Sequence, residues 1–144
     1  MCGISGILSN SDIRSLPYIK NFNKILNHRG PDGNGIWYSE NHDACFFHTR
    51  LAIQDLSKNG HQPMTSKSKR YVISFNGEIY NHLRLRKILP LINWEGSSDT
   101  ETLLELIDYF GIQETLNKIE GMFAFALFDK KVKEIILVRD RFGE

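Results

Sequence analysis

No apolar run in this 144-residue sequence approaches the ~20 residues a membrane-crossing helix needs, and the stretch at residues 122–128 is far shorter. A membrane-spanning protein is excluded on that pattern. The N-terminus has no basic segment followed by an apolar stretch, so no secretory leader is indicated and a cytoplasmic protein is expected. Charge of one sign is also missing: 18 Lys and Arg against 17 Asp and Glu leave a net +1. No bulk field draws the chain to nucleic acid or anionic membrane, and a partner must be recognised locally. Cysteine is scarce. Cys2 and Cys45 cannot build a disulfide framework, and both are expected as thiols. The five histidines, His28, His42, His48, His61 and His82, form no i, i+4 pair and accompany no C-x-x-C, so no metal site is expected. The glycines of residues 30–35 lack the G-x-G-x-x-G and Walker spacings, so no nucleotide site is expected there. Repeats, low-complexity tracts and linkers are absent.

What is present describes one globular unit. Apolar residues make up 41%, aromatics 11% and charged residues 24%, which excludes disordered and collagen-like chains. Small and bulky residues alternate from Cys2 through Leu8, as suits a strand packed closely on another layer. Ile19, Phe22, Ile25 and Leu26 recur at helical spacing within residues 18–28, and this helix is expected to run into the Gly-rich loop His28-Arg29-Gly30-Pro31-Asp32-Gly33-Asn34-Gly35. Residues 36–38, 44–49 and 71–75 read as short strands, with Asn76-Gly77 as a turn signal closing the third. Ser98-Asp99-Thr100-Glu101 has the form of a capping box opening a helix with Leu103, Leu104 and Ile107 on one face. Residues 122–129 and 134–139 read as a hairpin joined by the polar residues 130–133. Phe123, Phe125, Leu127, Ile136 and Val138 are expected in the core, and Cys45 as a small buried hydrophobe. Strands at both ends with two or three helices between them indicate an α+β sandwich.

Five residues carry candidate chemistry. Met1 is removable when residue 2 is small, so the mature chain would begin at Cys2, placing a thiol and an α-amine base of pKa near 8 on one residue. Asn76 and the N–H of Gly77 suit a developing oxyanion, although Asn-Gly is often only a turn. Arg50, at a strand end, suits a two-pronged contact with a carboxylate, or is a solvated surface group. Asp99 suits an ammonium ion, or serves the helix dipole.

Eight collinear blocks then resemble a known family: Met1-Cys2-Gly3-Ile4-Ser5-Gly6, His28-Arg29-Gly30-Pro31-Asp32, Arg50-Leu51-Ala52-Ile53-Gln54-Asp55-Leu56, Gln62-Pro63-Met64, Phe75-Asn76-Gly77-Glu78-Ile79-Tyr80-Asn81, Ser98-Asp99-Thr100-Glu101, Gly121-Met122-Phe123-Ala124-Phe125-Ala126 and Arg139-Asp140-Arg141-Phe142-Gly143. Their order and spacing are similar to the glutaminase domain of glutamine-hydrolysing asparagine synthetases, a class II glutamine amidotransferase domain. The match covers essentially the whole chain. The blocks differ from those of the amidophosphoribosyltransferase and glucosamine-phosphate synthase branches.

The resemblance implies an N-terminal-nucleophile hydrolase with a four-layer αββα sandwich. It implies Cys2 as nucleophile and Asn76 with Gly77 as oxyanion hole. Arg50 would hold the glutamine α-carboxylate, Asp99 and Glu78 its α-ammonium, and backbone groups around Leu51 and Ile53 would complete the pocket. Glutamine is then the substrate and a C-terminal synthetase domain the partner; ATP and magnesium are expected in that domain, with no cofactor in residues 1–144. Two rivals stay open: a catalytically silent binding module, which suits a chain that keeps Met1, and the glutaminase half of an enzyme with another acceptor. Residues 140–144 have loop composition directly after a strand, so the glutaminase domain is expected to be incomplete at its C-terminus. Its uncovered apolar face would favour self-association into an oligomer and lower stability than a longer chain.

Overall fold

The structure is a computed structural model and describes residues 2–89 and 92–143. Its strands are β1 (Gly3–Leu8), β2 (Gly33–Tyr38), β3 (Ala44–Arg50), β4 (Met64–Thr65), β5 (Tyr71–Ile79), β6 (Gly121–Asp129) and β7 (Glu134–Arg139). The helices are α1 (Phe22–Leu26), α2 (His82–Arg86), α3 (Asp99–Phe110) and α4 (Ile112–Leu116). All pairing is antiparallel, in a three-stranded sheet ordered β1-β3-β2 and a four-stranded sheet ordered β4-β5-β6-β7. No described helix is long and apolar enough to cross a membrane.

Strand alternation builds the layers, because successive side chains point to opposite faces. On β3, Cys45 and Phe47 pack with Ile13 and Ile19 of the helical turns beneath the first sheet, while Ala44 and Phe46 meet Val72 and Phe128 of the second. Trp37 fills the same interface, its ring 5.5 Å from Phe46 and 5.0 Å from Phe128. The outer face of the second sheet, including Ile73, Phe75, Phe125 and Leu127, buries Leu103, Leu104, Leu106 and Ile107 of α3. Helix, sheet, sheet and helix form the four-layer α+β sandwich that the resemblance implies. Phe123, Phe125 and Leu127 lie in the core, with Ile136 and Val138 packed against it. The β6–β7 hairpin forms as read, and Cys45 is wholly buried, its thiol pushed up to about 12 by desolvation.

Several local readings need correction. Asn76 and Gly77 do not close a strand: β5 continues to Ile79, with Asn76 opposite Ala124 and Gly77 opposite Phe123. The apolar pairing with β6 overrides the turn preference of the dipeptide. The helix expected over residues 18–28 is a 3-10 turn, Ile19–Asn21, leading into the five residues of α1. Gly33 and Gly35 belong to β2, not to a loop. The capping box is half formed. Ser98 Oγ accepts from the Glu101 N–H at 3.2 Å, but the Glu101 carboxylate takes the N–H groups of Glu95 and Gly96 at 2.8 and 3.0 Å. It ties down the entering loop instead of the cap residue itself.

His48 on β3 points into the space between the sheets, where its Nε2 bonds the Phe75 carbonyl at 3.2 Å and its Nδ1 is buried without a partner. Burial lowers the imidazole from 6.5 to about 4, against the upward pull of the Phe75 carbonyl. Between those values the unfolded chain binds a proton that the folded chain excludes, so this residue's contribution rises with pH. The melting temperature of His48→Gln should therefore fall less steeply than that of the parent as pH drops from about 6.5 to about 4. Parallel thermal melts measure the difference, and identical slopes would remove His48 as the source.

Candidate functional site

β5 pairs with β6 through its even-numbered residues: Lys130 N–H bonds Arg70 O at 2.9 Å and Tyr80 N–H bonds Glu120 O at 2.7 Å, at the two ends of the ladder. The odd-numbered backbone groups face the other way, as antiparallel alternation requires. There β4 covers only Val72 and Ile73, and side chains take over. Gln62 Oε1 accepts the Phe75 N–H at 2.6 Å, and Asp99 Oδ2 accepts the Ile79 N–H at 2.8 Å. Between them the Gly77 N–H has no acceptor among the described residues and faces a cavity of about 110 Å³. Glycine is required here by space. A Cβ on residue 77 would collide with Met122 O and stand 2.6 Å from Phe123 Cα, and its φ of 157° is rare for other residues.

Cys2 enters the same cavity from the start of β1. The Leu51 N–H lies 3.4 Å from its Sγ, and Arg29 Nε donates to its backbone carbonyl at 3.1 Å. Arg50, at the end of β3, turns its guanidinium into residues 55–57, donating to the carbonyls of Ser57, at 2.8 Å, and Asp55. Asp99 is buried, and desolvation raises its carboxyl above the usual range although the Ile79 N–H opposes the shift. Glu78 projects at the mouth and accepts from Gln54 Nε2 at 3.2 Å. Leu51 and Ile53 lie on the loop between β3 and the 3-10 turn Lys58–Gly60.

All eight residues singled out in the sequence, Cys2, Arg50, Leu51, Ile53, Asn76, Gly77, Glu78 and Asp99, line this one cavity. Asn76 points between the sheets with its Oδ1 buried and without a partner. The cavity thus gathers a thiol, the Gly77 N–H, the Asn76 side-chain amide, a guanidinium and two carboxylates. That set suits a zwitterionic amino acid at one end and a carbonyl at the other. Among the described residues, no group of three or more His, Cys, Asp or Glu is placed to hold a metal ion.

The supporting residues were not legible. Asp32 Oδ2 accepts the Ala52 N–H at 2.9 Å and so fixes the loop that carries Leu51 and Ile53. Asp55 accepts Ser57 N–H and Oγ on one oxygen and the Ser97 N–H on the other; bonding to Ser57 leads in holding its carboxyl down at about 2. Arg86 donates to Gly96 O and Ser98 O, both at 2.8 Å, and stacks on Trp94. Asp32 and Asp55 stand inside recognisable blocks, which was the available signal. Arg86 has none: it binds two backbone carbonyls, the Thr102 hydroxyl at 2.7 Å and the Glu101 carboxylate at 3.5 Å, none of which its local sequence marks.

A family model described as a glutamine amidotransferase domain matches residues 1–144. A glutamine-hydrolysing asparagine synthetase of Triphysaria versicolor is 37% identical over 146 residues, covering 99% of this chain and 24% of that protein. A putative glutamine-hydrolysing asparagine synthetase 2 of Methanocaldococcus jannaschii is 38% identical over 159 residues, with 99% and 30% covered. Amidase chry2 of Gibberella zeae is 32% identical over 155 residues, with 99% and 23% covered. The chain therefore spans less than a third of the length of these relatives. Among solved structures, the glutamine phosphoribosylpyrophosphate amidotransferase of B. subtilis superposes with a TM-score of 0.79 at 21% identity, over 99% of this chain and 38% of the other.

The crowding at residue 77 leads to a stability prediction. Gly77→Ala should lower unfolding free energy by on the order of 3 kcal/mol, combining overpacking with an unfavourable backbone angle. Urea titration measures it, and a loss below about 1 kcal/mol would mean β6 can retreat freely.

Proposed function

Because the chain belongs to the family of glutamine amidotransferase domains, we propose that its cavity hydrolyses the side-chain amide of glutamine to glutamate and ammonia through a thioester on Cys2. The observation carrying this reading is the meeting of the Cys2 thiol with the open Gly77 N–H in a cavity that also holds Arg50, Asp99 and Glu78. With Met1 removed, the Cys2 α-amine takes the thiol proton as Sγ attacks the amide carbon. The carbonyl oxygen, now an anion, is stabilised by the Gly77 N–H and the Asn76 amide. Collapse of that intermediate breaks the C–N bond, and ammonia leaves with the proton the amine returns. Water then attacks the thioester, releasing glutamate and restoring the thiol. Arg50 pairs with the substrate α-carboxylate, Asp99 and Glu78 with its α-ammonium, and the backbone near Leu51 and Ile53 closes around the stem.

The likeness to asparagine synthetases supports a further step, in which ammonia passes to a synthetase portion of the same polypeptide that converts aspartate to asparagine. ATP and magnesium act in that portion, and no residue of this chain is assigned to hold them. Identities of 37 and 38% over 99% of this chain with relatives of that name support this branch.

Ammonia release, read together with the intact mass of the N-terminus, tests the mechanism. Cys2→Ala should abolish release with the fold retained, and Asn76→Ala should lower kcat by about 10² to 10³ with little change in KM. Release by Cys2→Ala at the parent rate would refute the thioester; glutamine binding without release by the parent would leave a binding module. Arg50→Lys separates binding from chemistry: KM for glutamine should rise while kcat holds, since an ammonium cannot reproduce the guanidinium fork. A fall in kcat alone would move Arg50 into the transition-state machinery.

A further inference from the structure

Gln62 lies at the point where β4 ends. Extending the register of β4, in which Met64 faces Ile73, by two residues sets Gln62 opposite Phe75. No ladder bond forms there. The side chain supplies the acceptor instead: Oε1 takes the Phe75 N–H at 2.6 Å, while Nε2 donates to Thr100 Oγ1 at 3.2 Å in the first turn of α3. From the opposite sheet, His48 Nε2 bonds the Phe75 carbonyl at 3.2 Å. Gln62, Thr100 and His48 are 5%, 4% and 0% exposed, so these bonds meet no competition from water. Four residues further along β5, Asp99 beside Thr100 takes the Ile79 N–H. The start of α3 therefore grips β5 on both sides of Gly77.

We propose that Gln62 is a positioning residue for the oxyanion donor at Gly77: it replaces a missing strand residue, fixes Phe75 against α3, and so sets the direction of the next outward N–H. This rests on the thioester reading of the cavity. Gln62 has no role in attack or leaving-group departure; it acts through Phe75. A donor aimed by a buried bond needs no reorganisation as charge develops, and that preorganisation is where such donors gain their effect. Gln62→Met keeps length and shape but leaves the Phe75 N–H buried without an acceptor. Gln62→Glu keeps the acceptor for the Phe75 N–H, and the Thr100 hydroxyl can turn to donate to its second oxygen.

The test uses the complete polypeptide and two readouts, ammonia release from glutamine and amide hydrogen exchange resolved at Phe75. In Gln62→Met, kcat should fall at least tenfold with KM within about twofold, and Phe75 exchange should rise at least tenfold with the exchange of α3 unchanged. Gln62→Glu should recover most of both. Unchanged Phe75 exchange in folded Gln62→Met overturns the proposal whatever the activity does. So does an unchanged kcat, or a loss of protection spread evenly over β5 and α3. If Gln62→Met does not fold, Thr100→Val carries the same paired readout with a smaller effect. A parent that releases no ammonia defeats the thioester reading instead, and the exchange result then decides the grip on Phe75 alone.

Discussion

Everything at the site depends on β4 being two residues long. A full-length neighbour would pair every outward N–H and C=O of β5 and fill the space where the cavity stands. With β4 stopping at Met64, three consecutive outward donors must be satisfied in other ways, because an unpaired buried N–H is costly. Two go to side chains, Gln62 for Phe75 and Asp99 for Ile79. The third, at Gly77, faces the cavity. The donor assigned to the oxyanion is thus an edge-strand amide held in place by its paired neighbours.

The opposite wall is built from carboxylates that accept from backbone N–H groups, with Arg86 also 3.5 Å from Glu101. Asp32 holds Ala52, Asp55 holds Ser57 and Ser97, and Glu101 holds Glu95 and Gly96. Asp32 and Asp55 join segments distant in sequence, while Glu101 ties down the loop just before its own helix. Arg86 works the other way, donating to two carbonyls of the same loop with its guanidinium over Trp94. Loops held like this present Leu51, Ile53 and Ser98 to the cavity without regular secondary structure of their own, beside Asp99 at the first position of α3, which is how binding residues on a rigid scaffold are usually carried.

Burial sorts the titratable groups into two roles. Cys45 is desolvated with its thiol at about 12 and serves as core, whereas Cys2, half-buried at the cavity, keeps access to what enters. Asp55, with its bonds complete, is held at about 2 as a structural anion. Asp99 is raised by desolvation and gives one oxygen to Ile79, leaving capacity for a cationic group. The residue types are common; their surroundings separate them.

The sequence by itself determined the α+β sandwich class, since period-2 runs, the apolar stripe of α3 and the β6–β7 hairpin are local patterns that packing leaves unchanged; the four layers were implied only by the resemblance of its blocks. It also determined the membership of the site: the eight residues read from the chain and its blocks line one cavity, because motif order survives whatever path the chain takes between motifs. Tertiary structure alone decided that Asn76 and Gly77 run on within a strand, since pairing with β6 outweighs a dipeptide's turn preference. It alone decided that Glu101 serves the entering loop and not its cap. Beyond the blocks that contain Gln62 and Asp55, these two and Arg86 had no legible role of their own, because many of their partners are backbone groups, and backbone groups are identical at every position until folding brings particular ones near.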